Sequence, residues 1–204
     1  MTAAPRPLAT FIEGLDALLS APVREAEIFS VGRPLLQRLI AHDAWLPAAY
    51  AVAGPKDYSQ YLLYLDPPAD GRGSRFSIVS FAWAPGQATP VHNHTVWGLI
   101  GVMRGEETSQ RFRLLPDGRP VADGPLRRLA RGEVEVVSPD VGDIHQVSNA
   151  LDDQTSVSLH VYGSDIGRTP RAVFGSDGRR TPFISGYSNG ERSRPFGVTW
   201  EAAG

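Results

Sequence analysis

The segment PGQATPVHNHTVWGLIGVMRGEE, residues 85–107, decides how the fold is predicted. It places His92 and His94 two positions apart, after a Gly/Pro turn and before an apolar run that starts at Val96. Alternate side chains of a β-strand share one face. The pattern therefore predicts a strand entered from a turn, with two imidazoles directed at one point, as a metal ion requires. Because isolated His-x-His pairs are common on protein surfaces, the interpretation depends on the rest of the chain.

Length and composition limit the class of protein. With 204 residues, 42% of them apolar, the chain is expected to form one domain, residues 1–204. A net charge of −2 argues against a nucleic-acid partner or a basic membrane-binding surface. The absence of cysteine excludes disulfides and thiolate metal ligands. No signal-peptide pattern or membrane-spanning apolar run is found, so we expect a cytoplasmic protein, as a monomer or small homo-oligomer.

The N-terminal part, residues 1–50, has apolar residues at helical spacing. It predicts helices over residues 8–19 and 25–43. Each has one apolar face, so both are expected to pack on the outside of a sheet.

From residue 58 to residue 162 the sequence changes to short apolar runs separated by Gly/Pro turns. Their spacing of roughly ten residues predicts a mainly β sandwich or barrel. The predicted strands cover residues 61–66, 76–83, 96–104, 110–115, 126–129, 133–137, 144–149 and 156–162. Residues 67–73 are predicted to form a turn or loop, and residues 163–204 to wrap the barrel or stay partly disordered.

A third histidine, His145, follows a Gly-Asp turn about fifty residues after the first pair. Together the histidines form two motifs, Gly-x5-His92-x-His94 and Gly-x2-His145-x3-Asn149. This combination resembles the two signature motifs of the cupin superfamily. The resemblance covers roughly residues 61–162 and implies a double-stranded β-helix of the jelly-roll type, with the three histidines as metal ligands.

One position departs from the cupin pattern. Many cupins carry a glutamate ligand four residues after the second histidine, where this chain has Gly98. Three neutral imidazoles would leave the full 2+ charge on the ion and several coordination positions open, which favours an anionic, chelating substrate. Imidazole suits iron, zinc, copper and nickel, and a tetrahedral three-histidine zinc site with bound water is the competing site type.

A second polar group lies on the last predicted strand. Ser158, His160 and Tyr162 alternate with apolar residues, so all three share one face. Hydroxyl, imidazole and phenol can form a hydrogen-bonded chain in which the serine fixes the histidine and the histidine orients the tyrosine. Because the intervening residues are apolar and core-like, the polar face is expected to line a cavity.

The three histidines, the missing glutamate and the Ser-His-Tyr chain together closely resemble the thiol dioxygenases, the cysteine dioxygenase-like branch of the cupins. The resemblance implies non-haem Fe(II) held by His92, His94 and His145. It also implies a reaction in which a small thiol and O2 give a sulfinic acid, with Tyr162 hydrogen-bonding to bound substrate or oxygen.

Within that branch, two features concern the substrate. Mammalian-type cysteine dioxygenases have an arginine in a Tyr-x-Arg segment, where this chain has Gln60, and a cysteine cross-linked to the relay tyrosine, which this chain lacks. Both departures resemble the bacterial Gln-type enzymes, similar to 3-mercaptopropionate dioxygenases, in which a later arginine binds the substrate carboxylate. Arg171 is the best match and Arg168 the alternative, since a guanidinium binds a carboxylate bidentately. Trp97 is expected to line the pocket, or otherwise to be ordinary core.

Several alternatives remain at this point. The thiol could be cysteine, or the chain could be another cupin oxygenase or isomerase, although those often keep the motif glutamate. A non-catalytic metal-binding cupin would be expected to lose a metal histidine or the relay. A zinc hydrolase would need a general base beside the metal-bound water, and the nearest acid in sequence, Asp143, lies in a predicted turn.

Overall fold

A computed structural model describes residues 2–67, 73–190 and 196–197 of the chain. Within these residues lie two α-helices, α1 (Arg6–Leu18) and α2 (Glu25–Ile40), and a short 3₁₀ turn over Ala48–Tyr50. The strands in chain order are β1 (Thr2–Ala3), β2 (Ser59–Leu65), β3 (Ser77–Trp83), β4 (Gly98–Arg104), β5 (Glu106–Leu114), β6 (Pro120–Ala122), β7 (Arg127–Ala130), β8 (Val134–Val137), β9 (His145–Asn149), β10 (Ser156–Tyr162), β11 (Arg171–Phe174), β12 (Arg180–Phe183) and β13 (Phe196–Gly197).

The strands form two main layers. One layer is a five-stranded antiparallel sheet in the order β2-β3-β10-β4-β8. The other is built on β5, which pairs antiparallel with β6, β7 and β9. A hairpin of β11 and β12 follows, and β1 pairs with β13 in parallel. This mainly β architecture with two helices is the cupin barrel that the motifs predicted.

The five-stranded sheet separates two apolar clusters by strand alternation. On its outer face, Ile78 of β3 and Leu159 of β10 pack with Leu36 of α2 in the larger cluster. On its inner face, Val79 of β3 and Tyr162 of β10 belong to the smaller cluster inside the barrel. The outer face therefore carries the helices, as predicted, and the inner face is left for a site.

A glycine lets the second helix approach this sheet closely. A Cβ at Gly101 of β4 would lie 2.9 Å from Cδ1 of Ile40 and 3.1 Å from Cγ of Leu36. Both of these α2 side chains are fully buried in the core. The position therefore requires the absence of a side chain.

The structure corrects several predicted bounds. The strand expected to begin at residue 110 begins at Glu106. Its first residues were missed because they are polar, although they alternate in burial, and because their strand partners lie far away in sequence. Strands β6, β11 and β12 were not predicted. Residues 68–72 of the predicted loop, and residues 191–195 and 198–204 of the segment predicted to wrap the barrel, lie outside the described residues. Neither described helix is long and apolar enough to cross a membrane.

Replacing Gly101 with valine should destabilise the fold. The added side chain would overpack the contact with α2 and cost about 1–3 kcal/mol in the free energy of unfolding. Urea denaturation followed by circular dichroism measures this. Leu114→Val, at an exposed position on β5, is the control and should change the free energy by less than about 0.5 kcal/mol. An unchanged midpoint for Gly101→Val would contradict the close packing.

Candidate metal centre

Three histidines converge inside the barrel. His92, His94 and His145 each offer a ring nitrogen, and these atoms lie within 4.8 Å of one another. Their ring centroids are 4.7 to 5.0 Å apart, and all three side chains are buried. Such a cluster can hold one metal ion with three protein ligands.

The strand predicted through His92 and His94 is wrong, although the two histidines do converge. β4 begins only at Gly98. His92 is held by two isolated antiparallel bridges, one to Val173 and one to His145. In the second, its N–H and C=O each bond to the backbone of His145 at 3.0 Å. After His94 the chain turns through Thr95, which has a φ of +64°. A left-handed residue at that point ends the strand-like path and redirects the segment.

Backbone and carboxylate acceptors fix the orientation of the first two rings. Nδ1 of His92 lies 3.0 Å from the carbonyl oxygen of Pro90, and Nδ1 of His94 lies 3.1 Å from that of Asp143. An acceptor at Nδ1 keeps the proton there and leaves the Nε2 lone pair for a metal. Nε2 of His94 is buried and has no hydrogen-bond partner among the described residues. The donor set therefore fits a metal ion.

Asp143 contributes to this arrangement from behind the ligand. Its Oδ1 accepts the backbone N–H of His94 at 2.8 Å, and its Oδ2 accepts that of Thr95 at 3.0 Å. Burial opposes ionisation, but the hydrogen bonds from His94 and Thr95 outweigh it and lower the pKa of Asp143. The carboxylate thus positions His94. Because both of its oxygens accept backbone hydrogen bonds, it is not placed to act as the general base that a zinc hydrolase would need.

The third ring meets polar groups of the neighbouring strands. Nδ1 of His145 lies 3.5 Å from Oγ of Ser109 and 4.0 Å from Oε2 of the buried Glu135. Burial, together with the neighbouring imidazoles, holds the pKa of His145 and His92 well below the ordinary histidine value. Both rings are therefore neutral at neutral pH, which is the form that binds metal.

The predicted hydrogen-bonded chain is present on β10. Oγ of Ser158 lies 2.9 Å from Nε2 of His160, and Nδ1 of His160 lies 2.8 Å from the hydroxyl of Tyr162. All three side chains are buried, and the Tyr162 ring stacks on His94 with centroids 5.4 Å apart. Burial raises the pKa of Tyr162 and lowers that of His160, so both groups are neutral. The chain thus ends at the metal cluster.

The glycine that replaces the cupin glutamate has a spatial reason. Gly98 pairs with Tyr162 across β4 and β10. A Cβ at position 98 would lie 2.9 Å from Cδ1 of Tyr162 and 2.9 Å from Cγ2 of Val137. The tyrosine ring therefore occupies space that a side chain at position 98 would need.

The histidines open into a cavity of about 430 Å³. His92, His145, His160 and Tyr162 line it on the metal side. Arg171 lines the same cavity, and its side chain is buried beside the Phe183 ring, 4.6 Å from its centroid.

Arg171 and Gln60 meet at one hydroxyl in this cavity. Nη2 of Arg171 donates to Oγ of Ser185 at 2.7 Å, and Nε2 of Gln60 donates to the same oxygen at 3.1 Å. The second amide hydrogen of Gln60 goes to the carbonyl of Gly186 at 2.8 Å. Nε of Arg171 is buried without a hydrogen-bond partner among the described residues. Burial lowers the pKa of Arg171, a cost that an anion in the cavity would relieve.

Two predicted residues lie elsewhere. Trp97 does not line the cavity; it packs against the larger core cluster, and a Cβ at Gly163 would collide with its indole. The structure thus shows the alternative that the sequence left open for Trp97, a residue of the ordinary core. Arg168 is exposed, and its Nε lies 3.9 Å from Asp165 at the surface.

Sequence reasoning missed other cavity residues. Phe81 stacks on the His160 ring at 4.0 Å, and Tyr58 stacks on Phe81 and packs against Trp83. Alternation along β3, which places Val79, Phe81 and Trp83 on one face, could have indicated Phe81. No sequence pattern could have indicated Ser185, because the C-terminal segment that carries it reaches the cavity through long-range packing.

A buried three-histidine cluster beside a polar relay, inside a cupin barrel, defines a class of non-haem metal protein. The model of one family, cysteine dioxygenase type I, matches residues 40–169, which is more than half of the chain. The chain belongs to the cysteine dioxygenase type I family. This membership implies an oxygenase.

Several solved structures are also similar, at low identity. A double-stranded β-helix protein from Klebsiella pneumoniae is 16% identical over 57% of this chain and 84% of its own, with a TM-score of 0.43. A cupin 2 conserved barrel protein from Salinispora arenicola is 22% identical over 59% and 86%, with a TM-score of 0.40. The polyketide cyclase RemF from Streptomyces resistomycificus is 25% identical over 60% and 76%, with a TM-score of 0.40.

Replacing His94 with glutamine should abolish stoichiometric metal binding, because the cluster loses a buried ring nitrogen, Nε2, that has no hydrogen-bond partner in the described part of the chain. Anaerobic equilibrium dialysis against Fe(II), followed by elemental analysis, measures the bound metal. His42→Gln, at an exposed position, is the matched control and should bind as much metal as the unmodified chain. Full metal binding by His94→Gln, in protein with an unchanged circular dichroism spectrum, would rule out this site.

Proposed function

We propose that this protein is a mononuclear non-haem Fe(II) thiol dioxygenase that converts a small carboxylate-bearing thiol and O2 to the sulfinic acid. We favour 3-mercaptopropionate as the substrate. The observation that carries the proposal is the pairing of a buried three-histidine cluster, which opens into the cavity, with the buried guanidinium of Arg171 in the same cavity. Together they offer a thiol-carboxylate one partner for each end.

The histidine cluster is suited to Fe(II). His92, His94 and His145 would hold the ion through neutral nitrogens, and family membership supports iron among the metals that imidazole accepts. Bound Fe(II) would supply the chemistry that combines the thiolate sulfur with O2. Because the ligands bring no negative charge, a thiolate substrate balances the site better than a neutral molecule does.

Arg171 is the proposed carboxylate anchor. Its Nη2 donates to Ser185, but its Nε has no partner among the described residues and is available to an anion. Gln60 lines the same cavity, but both of its amide hydrogens are used by Ser185 and Gly186. We therefore propose that Gln60 acts by holding Ser185 and the chain around it, while Arg171 takes the charge.

The charges around the cavity favour 3-mercaptopropionate over cysteine. Cysteine carries an ammonium group that needs an acceptor when buried. Among the described residues that line the cavity, Asp57 supplies the one carboxylate that could accept from this ammonium group, and Asp57 is exposed. Asp57 is also the feature that favours the alternative, cysteine, if that ammonium group stays at the mouth of the cavity.

The relay would act on the bound substrate through Tyr162. Its hydroxyl is held by His160, and its ring lies against His94, so it is directed beside the metal cluster. Because Tyr162 and His160 are both neutral, the phenol can exchange a hydrogen bond with substrate or oxygen without introducing a charge.

The proposed function is tested by oxygen consumption. The Fe(II)-loaded protein is given 3-mercaptopropionate and L-cysteine in parallel, and the sulfinate is detected by mass spectrometry. We expect one O2 consumed per sulfinate formed, with the larger kcat/KM for 3-mercaptopropionate. The reverse ratio would assign cysteine. Iron-loaded protein that consumes no O2 with either thiol would instead favour a non-catalytic metal-binding cupin.

The two candidate arginines can be separated by the matched variants Arg171→Gln and Arg168→Gln. Loss of Arg171 should raise the KM for 3-mercaptopropionate at least about tenfold, since hydrogen bonds to charged groups are worth about 1.5–3 kcal/mol. Arg168→Gln, at an exposed position, should leave KM within about twofold, and both variants should keep their iron. The opposite pattern would move the carboxylate site to Arg168.

A further inference from the structure

The third histidine of the cluster is held in a different way from the other two. Nδ1 of His92 and Nδ1 of His94 lie 3.0 Å and 3.1 Å from backbone carbonyl oxygens. For Nδ1 of His145 the described residues supply two side chains instead, the Ser109 hydroxyl at 3.5 Å and a carboxyl oxygen of Glu135 at 4.0 Å. The position of the proton on this ring therefore depends on side chains, which substitution can change.

Glu135 is a buried acid with one oxygen unused. It lies on β8, and its side chain is 1% exposed. Its Oε1 accepts a hydrogen bond from Nη1 of Arg127 at 3.1 Å and lies 3.8 Å from Nε of Arg111. Its Oε2, which is the oxygen on the side of His145, is buried and has no hydrogen-bond partner among the residues that the structure describes. Because a buried acceptor without a donor is costly, this oxygen favours a donor beside it.

Nδ1 of His145 can be that donor. A neutral imidazole donates from one ring nitrogen and accepts at the other. If the ring binds a metal through Nε2, its proton has to be on Nδ1, where it needs an acceptor. At 4.0 Å the carboxyl oxygen and Nδ1 are not in direct hydrogen-bond contact. A gap of this length is closed by a small rotation of either side chain or by one bridging water.

The second neighbour of Nδ1, Ser109, does not distinguish between the two tautomers of His145. A hydroxyl both donates and accepts, so it can pair with Nδ1 whether or not that nitrogen carries the proton. A carboxylate only accepts. Of the two side chains, Glu135 is therefore the one that selects a tautomer.

We propose that Glu135 is a positioning residue for the metal centre, which holds the proton of His145 on Nδ1 and so keeps Nε2 free for the metal. Glu135 acts through the ring and does not touch the metal itself.

The arginines beside Glu135 make glutamine an informative replacement. A guanidinium has only donors, so the amide oxygen of Glu135→Gln should stay on the arginine side and accept from Arg127. The amide nitrogen then takes the place of Oε2 and presents a donor to Nδ1 of His145. Nδ1 can accept from it only if the ring proton moves to Nε2, the nitrogen that the metal needs. A residue with a merely structural role would change stability without moving this proton.

The inference goes beyond the proposed function, because neither a thiol nor O2 takes part in it. The ring proton can be located in the metal-free protein, so a failure here is distinguishable from a failure of the oxygen-consumption assay. Only the consequence for metal affinity rests on the three histidines being the metal site.

The experiment is ¹⁵N NMR of histidine-labelled, metal-free protein at neutral pH, with the His145 signals assigned from a His145→Gln variant. We expect the Nδ1–H tautomer in the unmodified protein and the Nε2–H tautomer in Glu135→Gln. The His92 ring, which a carbonyl oxygen holds, should stay Nδ1–H in both and shows that the fold is intact. Glu106→Gln, which also removes a carboxylate paired with an arginine, is the control and should leave the His145 tautomer unchanged.

Metal affinity is the second readout. The same proteins are titrated with Zn(II), which imidazole ligands also accept, in competition with a chelator of known affinity. Glu135→Gln should bind Zn(II) about tenfold to a hundredfold more weakly, as is usual when the partner of a metal-bound histidine is removed. Glu106→Gln should bind Zn(II) as the unmodified protein does.

A further variant keeps the test decisive if Glu135→Gln folds poorly. Ser109→Ala removes the competing neighbour of Nδ1 and leaves the acid in place, so His145 should keep the Nδ1–H tautomer. An Nε2–H tautomer of His145 in the unmodified protein or in Ser109→Ala would overturn the proposal. So would an unchanged tautomer, or an undiminished affinity for Zn(II), in folded Glu135→Gln.

Discussion

Three buried imidazoles converge in the barrel, and no carboxylate lies among them. The rest of the site follows from this lack of a negatively charged ligand. A divalent ion there would keep its full charge, so neutrality must come from what binds. The chain cannot supply a ligand at position 98, because the Tyr162 ring fills that space. Buried Arg171, which lines the same cavity, carries a positive charge. On the proposed function, a metal ion and this guanidinium would each bind one anionic end of a small substrate.

The side chains of one strand, β10, alternate between the core and the cavity, and this couples the site to the stability of the fold. β10 is fully buried on both faces. Leu159 and its apolar neighbours on the strand face the helices, while Ser158, His160 and Tyr162 face the cavity. Because β10 lies at the centre of the five-stranded sheet, its inward side chains are fixed by backbone pairing on two sides. The relay is therefore rigid for the same reason that the core is well packed.

Sequence reasoning worked where chemistry and local periodicity agreed. The bounds of β10 and the faces of its residues were predicted correctly, because every second residue is apolar over seven positions. The three metal histidines were brought together by motif spacing, although the local strand through His92 and His94 was wrong. What failed depended on long-range structure. Nothing near Ser185 signals that its hydroxyl meets the side chain of Gln60, 125 residues away in sequence. The packing of Trp97 in the core was only one of two alternatives, because closeness to His94 in sequence does not fix where the indole packs.

Glu107 and Glu135 show that the effect of burying a carboxyl group depends on whether a positively charged side chain lies beside it. Both look like surface residues in the sequence, and both are buried. Glu135 accepts a hydrogen bond from Arg127 at 3.1 Å and lies 3.8 Å from Nε of Arg111, so two arginines lie beside it, in a network that reaches Nδ1 of His145. Glu107 has no ion-pair partner among the described residues, and its Oε1 accepts a hydrogen bond from the Ser156 hydroxyl at 3.4 Å. Burial without a neighbouring cation raises the pKa of Glu107 to about 8.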